Sequence, residues 1–316
     1  MSAEEYQQKL RVIVEQAWDG EIRWPEIEAW VHNFTGESCS AEDEQRLALL
    51  MLTRFMYFSK GLVRQMLKAV YRDQIESPIK QRIRRNCGNT RDFDLVQRLY
   101  SDELASTRFI GVGNPAESGA HLLYYFRQVN YLKKDLFSDV TSAFVPVADP
   151  TGRIIYKQRE AQVARYVFFD DLVGSGTQAT EYLKPYIKLI RENSPGVELR
   201  FVSLFATTSG LEKLSASDFF GKDVTTLFEL DDTYKAFGQE SRYFNAPPDW
   251  FSLDALKNMC SLYGDKLNPS IPLGYKDGQL LLGFSHNTPD NVPPVFWNEG
   301  RTVPWRPIFV RYDKKY

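Results

Sequence analysis

Residues 165–180, RYVFFDDLVGSGTQAT, run from four aromatic or apolar side chains into paired aspartates and then into a loop of glycine and hydroxyl residues. Tyr166, Val167, Phe168 and Phe169 leave no polar face for water, so the segment predicts a buried strand. Such a strand delivers Asp170 and Asp171 to its C-terminal end, where ligands bind in open α/β sheets. Gly174, Ser175, Gly176 and Thr177 then form a tight turn whose N–H groups can approach an anion without Cβ obstruction, just before a helix N-terminus. Carboxylates suit ribose hydroxyls or Mg²⁺, and the loop suits phosphate. Adjacent strand residues point to opposite faces, so the two acids share one wall only if the strand ends there.

The surroundings fit an α/β sheet. Residues 109–113, Phe-Ile-Gly-Val-Gly, read as a short strand ending in glycines, and 118–129 as a helix. After the central strand come a helix with apolar residues at Ala179, Tyr182, Leu183, Tyr186, Ile187 and Ile190, a strand at 199–206, a helix near Leu211 and a strand at 225–230. That alternation predicts a mostly parallel sheet covered on both faces. Pro185 inside the first of these helices predicts a kink.

Residues 1–107 read as helix after helix. One covers about 3–18, Pro25 opens a second, and Ser40 with Asp43 starts a third whose inner face is Leu47, Leu50, Met51, Phe55 and Phe58. A fourth carries Lys60, Arg64, Lys68 and Arg72 every four residues, opposite Leu62, Val63, Met66, Leu67, Val70 and Tyr71. Pro78 and Asn86-Cys87-Gly88-Asn89 punctuate the chain before a helix over 92–104. From residue 237 on, Pro247, Pro248, Pro269, Pro272, Pro289, Pro293, Pro294, Pro304 and Pro307 argue against long regular elements, leaving 278–284 as the convincing strand. The expected division is therefore a helical region at 1–107, an α/β core at 108–236 and a C-terminal cap or hood at 237–316.

The formal net charge of −2 conceals an asymmetry: residues 1–59 hold 11 acidic and 5 basic side chains, whereas 60–91 hold 9 basic and 2 acidic. The Lys60, Arg64, Lys68, Arg72 stripe is either a solvated helix face or a contact for a nucleic-acid backbone or a protein. No apolar run is long enough to cross a membrane and the first residues lack a signal peptide's pattern, so a cytoplasmic location is expected. Cys39, Cys87 and Cys260, like His32, His121 and His286, are too scattered for a disulfide framework or a zinc site, and the cysteines are expected reduced and structural.

Two rival motifs fail on spacing. Gly111-x-Gly113-x-x-Ala116 with Asp135 has the outline of a dinucleotide fingerprint, but 131–135 has no strand pattern to carry the acid. Gly174 to Thr177 lacks the four-residue spacer and the lysine of a Walker A loop.

The apolar strand, paired acids, two further residues and hydroxyl-glycine loop resemble the PRPP-binding signature of type I phosphoribosyltransferases. The resemblance implies a parallel sheet with helices on both sides, with Asp170 and Asp171 on the ribose hydroxyls and Val173, Gly174, Ser175, Gly176 and Thr177 on the 5′-phosphate. It also implies a pyrophosphate loop at Gly111, Val112, Gly113 and Asn114, and Mg²⁺ held indirectly through Asp170 and Asp171. Gln178 stands where that family usually has threonine. Arg127, on the helix after the first glycine loop, is a candidate for neutralising pyrophosphate.

A narrower resemblance rests on the helical N-terminal region, Glu117-Ser118-Gly119-Ala120-His121-Leu122-Leu123, the DDLVGSGTQ loop, Phe237-Gly238-Gln239-Glu240-Ser241, and the segments 283–297 and 305–311. Together they are similar to the phosphoribosyltransferase-like effector family of bacterial conflict systems, PRTase-CE, whose members are encoded beside anti-phage modules including retrons. This resemblance implies a toxin-like effector that acts on PRPP or a nucleotide ribose phosphate and is held in check by partner proteins of a defence operon, such as a reverse transcriptase or antitoxin. The alternative is a protein of the same fold that senses PRPP or a nucleotide, or acts as a scaffold, without turnover. Residues 138–162, where the superfamily carries a mobile loop, hold Arg153, Lys157, Arg159 and Glu160, which favours an enzyme over the sensor. Residues 286–291, His-Asn-Thr-Pro-Asp-Asn, are either a base-covering hood or an Asn/Asp-rich turn.

Overall fold

A computed structural model of the chain describes residues 2–113, 118–216, 218–300 and 303–312, the side chains of residues 118 and 120 excepted. It divides into two compact units, one made of Met1–Val63 with Leu230–Tyr316 and the other of Arg64–Glu229.

The first unit opens with α1 (Ala3–Gln16), begun by a capping box in which the Glu5 N–H donates to Ser2 Oγ at 3.3 Å and the Ser2 N–H to Glu5 at 2.5 Å. α2 (Trp24–Val31) carries Pro25 in its first turn, where the missing N–H is harmless. α3 (Ala41–Leu52) starts where Ser40 Oγ accepts from the Asp43 N–H at 3.1 Å. It stops sooner than its apolar spacing suggested. Thr53 turns its hydroxyl back to the Leu50 carbonyl at 2.7 Å, and Met56 donates its N–H to Leu281 at 2.9 Å, so Phe58 lies in the strand β1 (Met56–Phe58) rather than on the helix.

α4 (Lys60–Val70), which enters the second unit at Arg64, runs through a π-helical turn, Tyr71–Glu76, into α5 (Ser77–Asn86), and α6 (Phe93–Ala105) follows. Pro78 does not break the helical run; it occupies the first turn of α5, as Pro25 does in α2. Asp92 caps α6 by accepting from the Leu95 N–H at 2.9 Å. The sheet is then laid down by β2 (Thr107–Gly111), α7 (Ser118–Val129), β3 (Phe137–Ser138), the single turn α8 (Val140–Ala143), the hairpin β4 (Phe144–Ala148) and β5 (Ile154–Gln158), β6 (Arg165–Val173), α9 (Thr177–Asn193), β7 (Glu198–Thr207), α10 (Thr208–Leu214) and β8 (Val224–Leu230).

The five strands lie in the order β3-β2-β6-β7-β8, and the β2–β3, β2–β6 and β6–β7 pairs are parallel. β8 follows the same sense, since Phe201 meets Asp223, Ser203 meets Thr226 and Phe205 stacks on Phe228. Both faces of β6 are buried. Phe169 packs on Phe126 of α7 with ring centroids 5.0 Å apart, while Phe168 packs on Phe220 at 5.6 Å beside Leu183 and Ile187 of α9. Each of those phenylalanines contributes about 1.5–3 kcal/mol on burial, which explains why the run has no polar alternate residue. α9 remains one helix of 17 residues through Pro185.

At the N-terminal end of β6, buried Arg165 bridges Glu198 and Glu103 at 2.7 Å each, and Arg82 and Arg200 complete the network. Burial alone would raise the Glu198 carboxyl, but the Arg165 and Arg200 guanidinium groups outweigh it and hold the carboxyl below its ordinary range. This ionic cluster anchors the edge of the sheet opposite the glycine loops.

The chain then completes the first unit with α11 (Leu253–Leu267) and β9 (Leu282–Phe284). α11 is a 15-residue helix between the proline clusters, capped by Ser252 and burying Leu256, Met259, Cys260, Tyr263 and Leu267. The expected strand at 278–284 shrinks to β9, which pairs in parallel with β1. Phe55 stacks on Phe309 with centroids 4.2 Å apart, Trp30 on Phe296 at 5.4 Å, and both Trp30 and Trp305 donate their indole N–H to the Val295 carbonyl. Segments 283–297 and 305–311 thus contribute to the core of this unit. Of the cysteines, Cys260 is buried while Cys39 and Cys87 are exposed, so only Cys260 has the packing role expected of all three.

Candidate functional site

The C-terminal edge of β2, β6 and β7 lies within the second unit and brings three loops together. β6 continues to Val173, so Asp170 and Asp171 lie inside the strand, with Asp170 opposite Ser203 of β7. The strict alternation of a strand then separates them. Asp171 shares the face of Phe169, towards α7, and is 7% exposed; Asp170 shares the face of Phe168 and is half-buried. Each carboxylate accepts from the next backbone N–H, Asp170 from Asp171 at 2.9 Å and Asp171 from Leu172 at 2.8 Å. The two acids therefore do not form one wall.

Gly111 pairs with Phe169, and the Val112 N–H donates to the Phe169 carbonyl at 3.0 Å, which brings the first glycine loop beside the acids. Gly113 adopts φ +95°, a left-handed backbone that favours glycine. A Cβ on Gly119 would sit 2.5 Å from the Val112 carbonyl, so the first turn of α7 presses directly on this loop. Asn114, Ala116 and Glu117 lie outside the described residues.

The second loop is drawn tight by its neighbour. Gly176, at φ +68°, caps α9, and Thr180 Oγ1 donates to its carbonyl at 2.8 Å. Ser175 Oγ donates to Thr177 Oγ1 at 3.1 Å and accepts from the Thr177 N–H at 3.4 Å. From the end of β7, Thr207 Oγ1 donates to the Gly174 carbonyl at 2.6 Å and also caps α10 by accepting from the Gly210 N–H at 3.0 Å. Lys213, on α10, donates from Nζ to Thr177 Oγ1 at 3.0 Å. A positive charge, two hydroxyls and a helix N-terminus thus converge at one loop, a combination suited to holding an anion.

Thr207, Gly210 and Lys213 were not singled out from the sequence, although a signal existed. Thr207-Thr208-Ser209-Gly210 follows an apolar strand with the same pattern of glycine and hydroxyls as the loop after β6. Arg127, by contrast, lies in the last turn of α7, about 14 Å along the helix from its first residue, and so is remote from the pyrophosphate loop. The hairpin at 138–162 uses two of its charges structurally: Glu160 pairs with Arg108, which holds its carboxyl low, and Arg159 Nε donates to the Ser142 carbonyl at 2.8 Å. Arg153 and Lys157 are exposed.

The basic stripe is divided in its contacts. Arg64 lies 5.2 Å over the Tyr125 ring, Arg72 pairs with Asp73 at 2.7 Å, and Lys68 borders a cavity with Arg72. In the first unit, residues 286–291 form a turn in which the Phe284 N–H donates to Asn287 O at 2.9 Å and Arg311 donates to the Thr288 carbonyl at 2.6 Å. His286 stacks on Phe284 there, with centroids 5.1 Å apart.

Among the described residues no group of three or more His, Cys, Asp or Glu side chains is arranged to hold a metal ion, and no helix is long and apolar enough to cross a membrane. Two carboxylates on opposite strand faces do not cage a metal. They are compatible with Mg²⁺ that arrives on a substrate's phosphates and keeps its waters.

The family model PRTase-CE matches residues 27–311 of this chain. No curated protein matches it. Among solved structures, the Helicobacter pylori xanthine-guanine-hypoxanthine phosphoribosyltransferase is 11% identical, with 56% of this chain and 91% of that one covered and a TM-score of 0.27. The AQ2163 protein from Aquifex aeolicus is 13% identical, covering 66% and 85%, with a TM-score of 0.28. Resemblances that distant carry no argument about chemistry.

Proposed function

The chain belongs to the PRTase-CE family, and we propose that it binds PRPP or a nucleotide-like ribose phosphate at the C-terminal edge of its sheet and acts at ribose C1. The observation that carries this reading is the convergence of Ser175, Thr177 and Lys213 on one loop beside Asp170. The 5′-phosphate sits against the N–H groups and hydroxyls of residues 173–177 with Lys213 neutralising its charge. Half-buried Asp170 accepts from the ribose hydroxyls. Buried Asp171 acts as a positioning residue, holding the Leu172 backbone that leads into the loop.

Pyrophosphate lies at Gly111, Val112 and Gly113, where backbone N–H groups can approach it. Mg²⁺, when bound with the substrate, neutralises part of the pyrophosphate charge. The C1–O bond to pyrophosphate breaks with its electron pair leaving on pyrophosphate, and an acceptor, either water or a nucleophile on a base, nucleotide or macromolecule, forms the new bond to C1 and gives up its proton to solvent. The protein contributes chiefly position and electrostatic complementarity. In cells this chemistry serves an effector of a bacterial anti-phage system, such as a retron-associated module, that is toxic once released from its protein partners.

Asp170→Asn and Asp171→Asn test the assignment by calorimetric titration with PRPP and Mg²⁺, alongside toxicity on expression. Asp170→Asn is expected to abolish toxicity and weaken PRPP by at least tenfold, with a smaller loss for Asp171→Asn. An Asp170→Asn protein that is folded and as toxic as the parent removes the catalytic reading. PRPP binding without detectable turnover in the parent, with partner release lost in Asp170→Asn along with the binding, favours the sensor.

A further inference from the structure

A second concave site lies in the same unit, at the far end of α7 from the glycine loops. It is a cavity of about 680 Å³ between the α4–π–α5 run, α6 and the segment that follows α7. That volume is in the range of small-molecule sites, roughly 300–1,000 Å³. Its walls carry Lys68 and Arg72 on one side and Lys133 on the other, together with the carboxylates of Glu76, which Lys80 pairs at 2.7 Å, and Asp135, and Tyr131 stands at its edge. Tyr71 and Tyr100 also line it, and their hydroxyls are hydrogen-bonded to each other.

Two costly backbone features meet at this cavity. The π-helical turn Tyr71–Glu76 interrupts an otherwise α-helical run and brings Tyr71 and Arg72 to the wall; such turns concentrate at functional sites. Tyr131 adopts φ +53°, a left-handed backbone that a bulky residue rarely takes, and the residue is 94% exposed. A ring held in solvent at a conformational cost, beside Lys68, Lys133 and an Arg72 that keeps one guanidinium nitrogen clear of its pair with Asp73, is an arrangement suited to a planar group bearing phosphate. The volume of about 680 Å³ accommodates one such unit.

We propose that this cavity binds a mononucleotide, with the phosphate on Lys68, Arg72 and Lys133 and the base against Tyr131. Half of the basic stripe is thereby a ligand site. α7, 12 residues long and so spanning about 18 Å, separates it from the strand-end acids.

The test uses the full chain carrying Asp170→Asn, so that the strand-end site contributes little, and AMP as the probe in calorimetric titrations. AMP is expected to bind with strong salt dependence, and Lys68→Gln with Lys133→Gln to weaken it at least tenfold. Tyr131→Ala is expected to weaken AMP about fivefold while leaving ribose 5-phosphate unchanged, because the sugar phosphate has no ring to stack. All three side chains are exposed, so these variants fold. AMP affinity that is equal in parent and charge variants overturns the assignment. So does tight binding of a single-stranded 12-mer without binding of AMP, which would make the face a nucleic-acid contact. Because the background already carries Asp170→Asn, failure here leaves the strand-end reading untouched.

Discussion

Gly210→Ala probes the geometry on which the phosphate loop depends. A Cβ at residue 210 would lie 2.4 Å from the Gly174 carbonyl oxygen, 2.9 Å from the Val173 carbonyl oxygen and 2.9 Å from Val173 Cγ1. An ordinary contact needs about 3.4–4 Å, so either α10 or the loop at 173–174 must retreat by about 1 Å. Two of the three atoms are backbone, so no side-chain rotation relieves the clash. Overpacking of this kind costs about 1–3 kcal/mol, which is about 5- to 150-fold in the folding equilibrium. If the loop yields instead, a displacement of about 1 Å at a binding group costs on the order of 100-fold in function. Gly196→Ala is the matched control, because a Cβ there meets nothing within 4 Å. Urea unfolding followed by fluorescence, with PRPP titration of the folded protein, reads both outcomes. A Gly210→Ala protein with the urea midpoint and PRPP affinity of Gly196→Ala would refute the close approach of α10 to the loop. A parent that does not bind PRPP would leave the stability arm valid and remove the ligand.

Three further outcomes are expected. Lys213→Gln should weaken PRPP about fivefold, a modest loss because the ammonium is exposed, and should flatten the salt dependence; calorimetry at two ionic strengths checks both. Glu198 has a folded pKa below its ordinary value, so its contribution is complete above about pH 4.5 and is lost as pH falls through the lower folded pKa; the stability gap between parent and Glu198→Gln, measured by urea titration, should be full near about pH 7 and vanish on acidification. In the first unit, Glu44 is fully buried and accepts from the Gly36 N–H, the Ser38 N–H and hydroxyl and the Tyr263 hydroxyl at 2.6–2.8 Å; Glu44→Gln turns an amide donor towards at least one of these donors and should cost about 2–3 kcal/mol by urea unfolding.

Much of the local structure was legible before any coordinates. The cap at Ser40, the helix at 118–129 and the strand-loop-helix order at 165–180 depend on neighbours within a few residues, and short-range turn chemistry specifies them. Phe58 was misread because its strand partner lies in 282–284, at the other end of the chain, and no periodicity within α3 encodes that pairing. α11 is hidden by the proline density at its flanks, which says nothing of the proline-free interval between them.

The candidate site divides in the same way. Sequence alone determined that a buried strand carries Asp170 and Asp171 towards its C-terminal end and that Gly174 to Thr177 lead into a helix, since an unbroken apolar run and flexible glycines allow little else. Only the tertiary structure decided that β6 extends past the acids and turns them to opposite faces, because strand length is set by hydrogen bonding to β7 rather than by the strand's own residues. It also decided that Lys213 and Thr207 meet the loop, because a parallel sheet brings the ends of strands distant in sequence to a common edge.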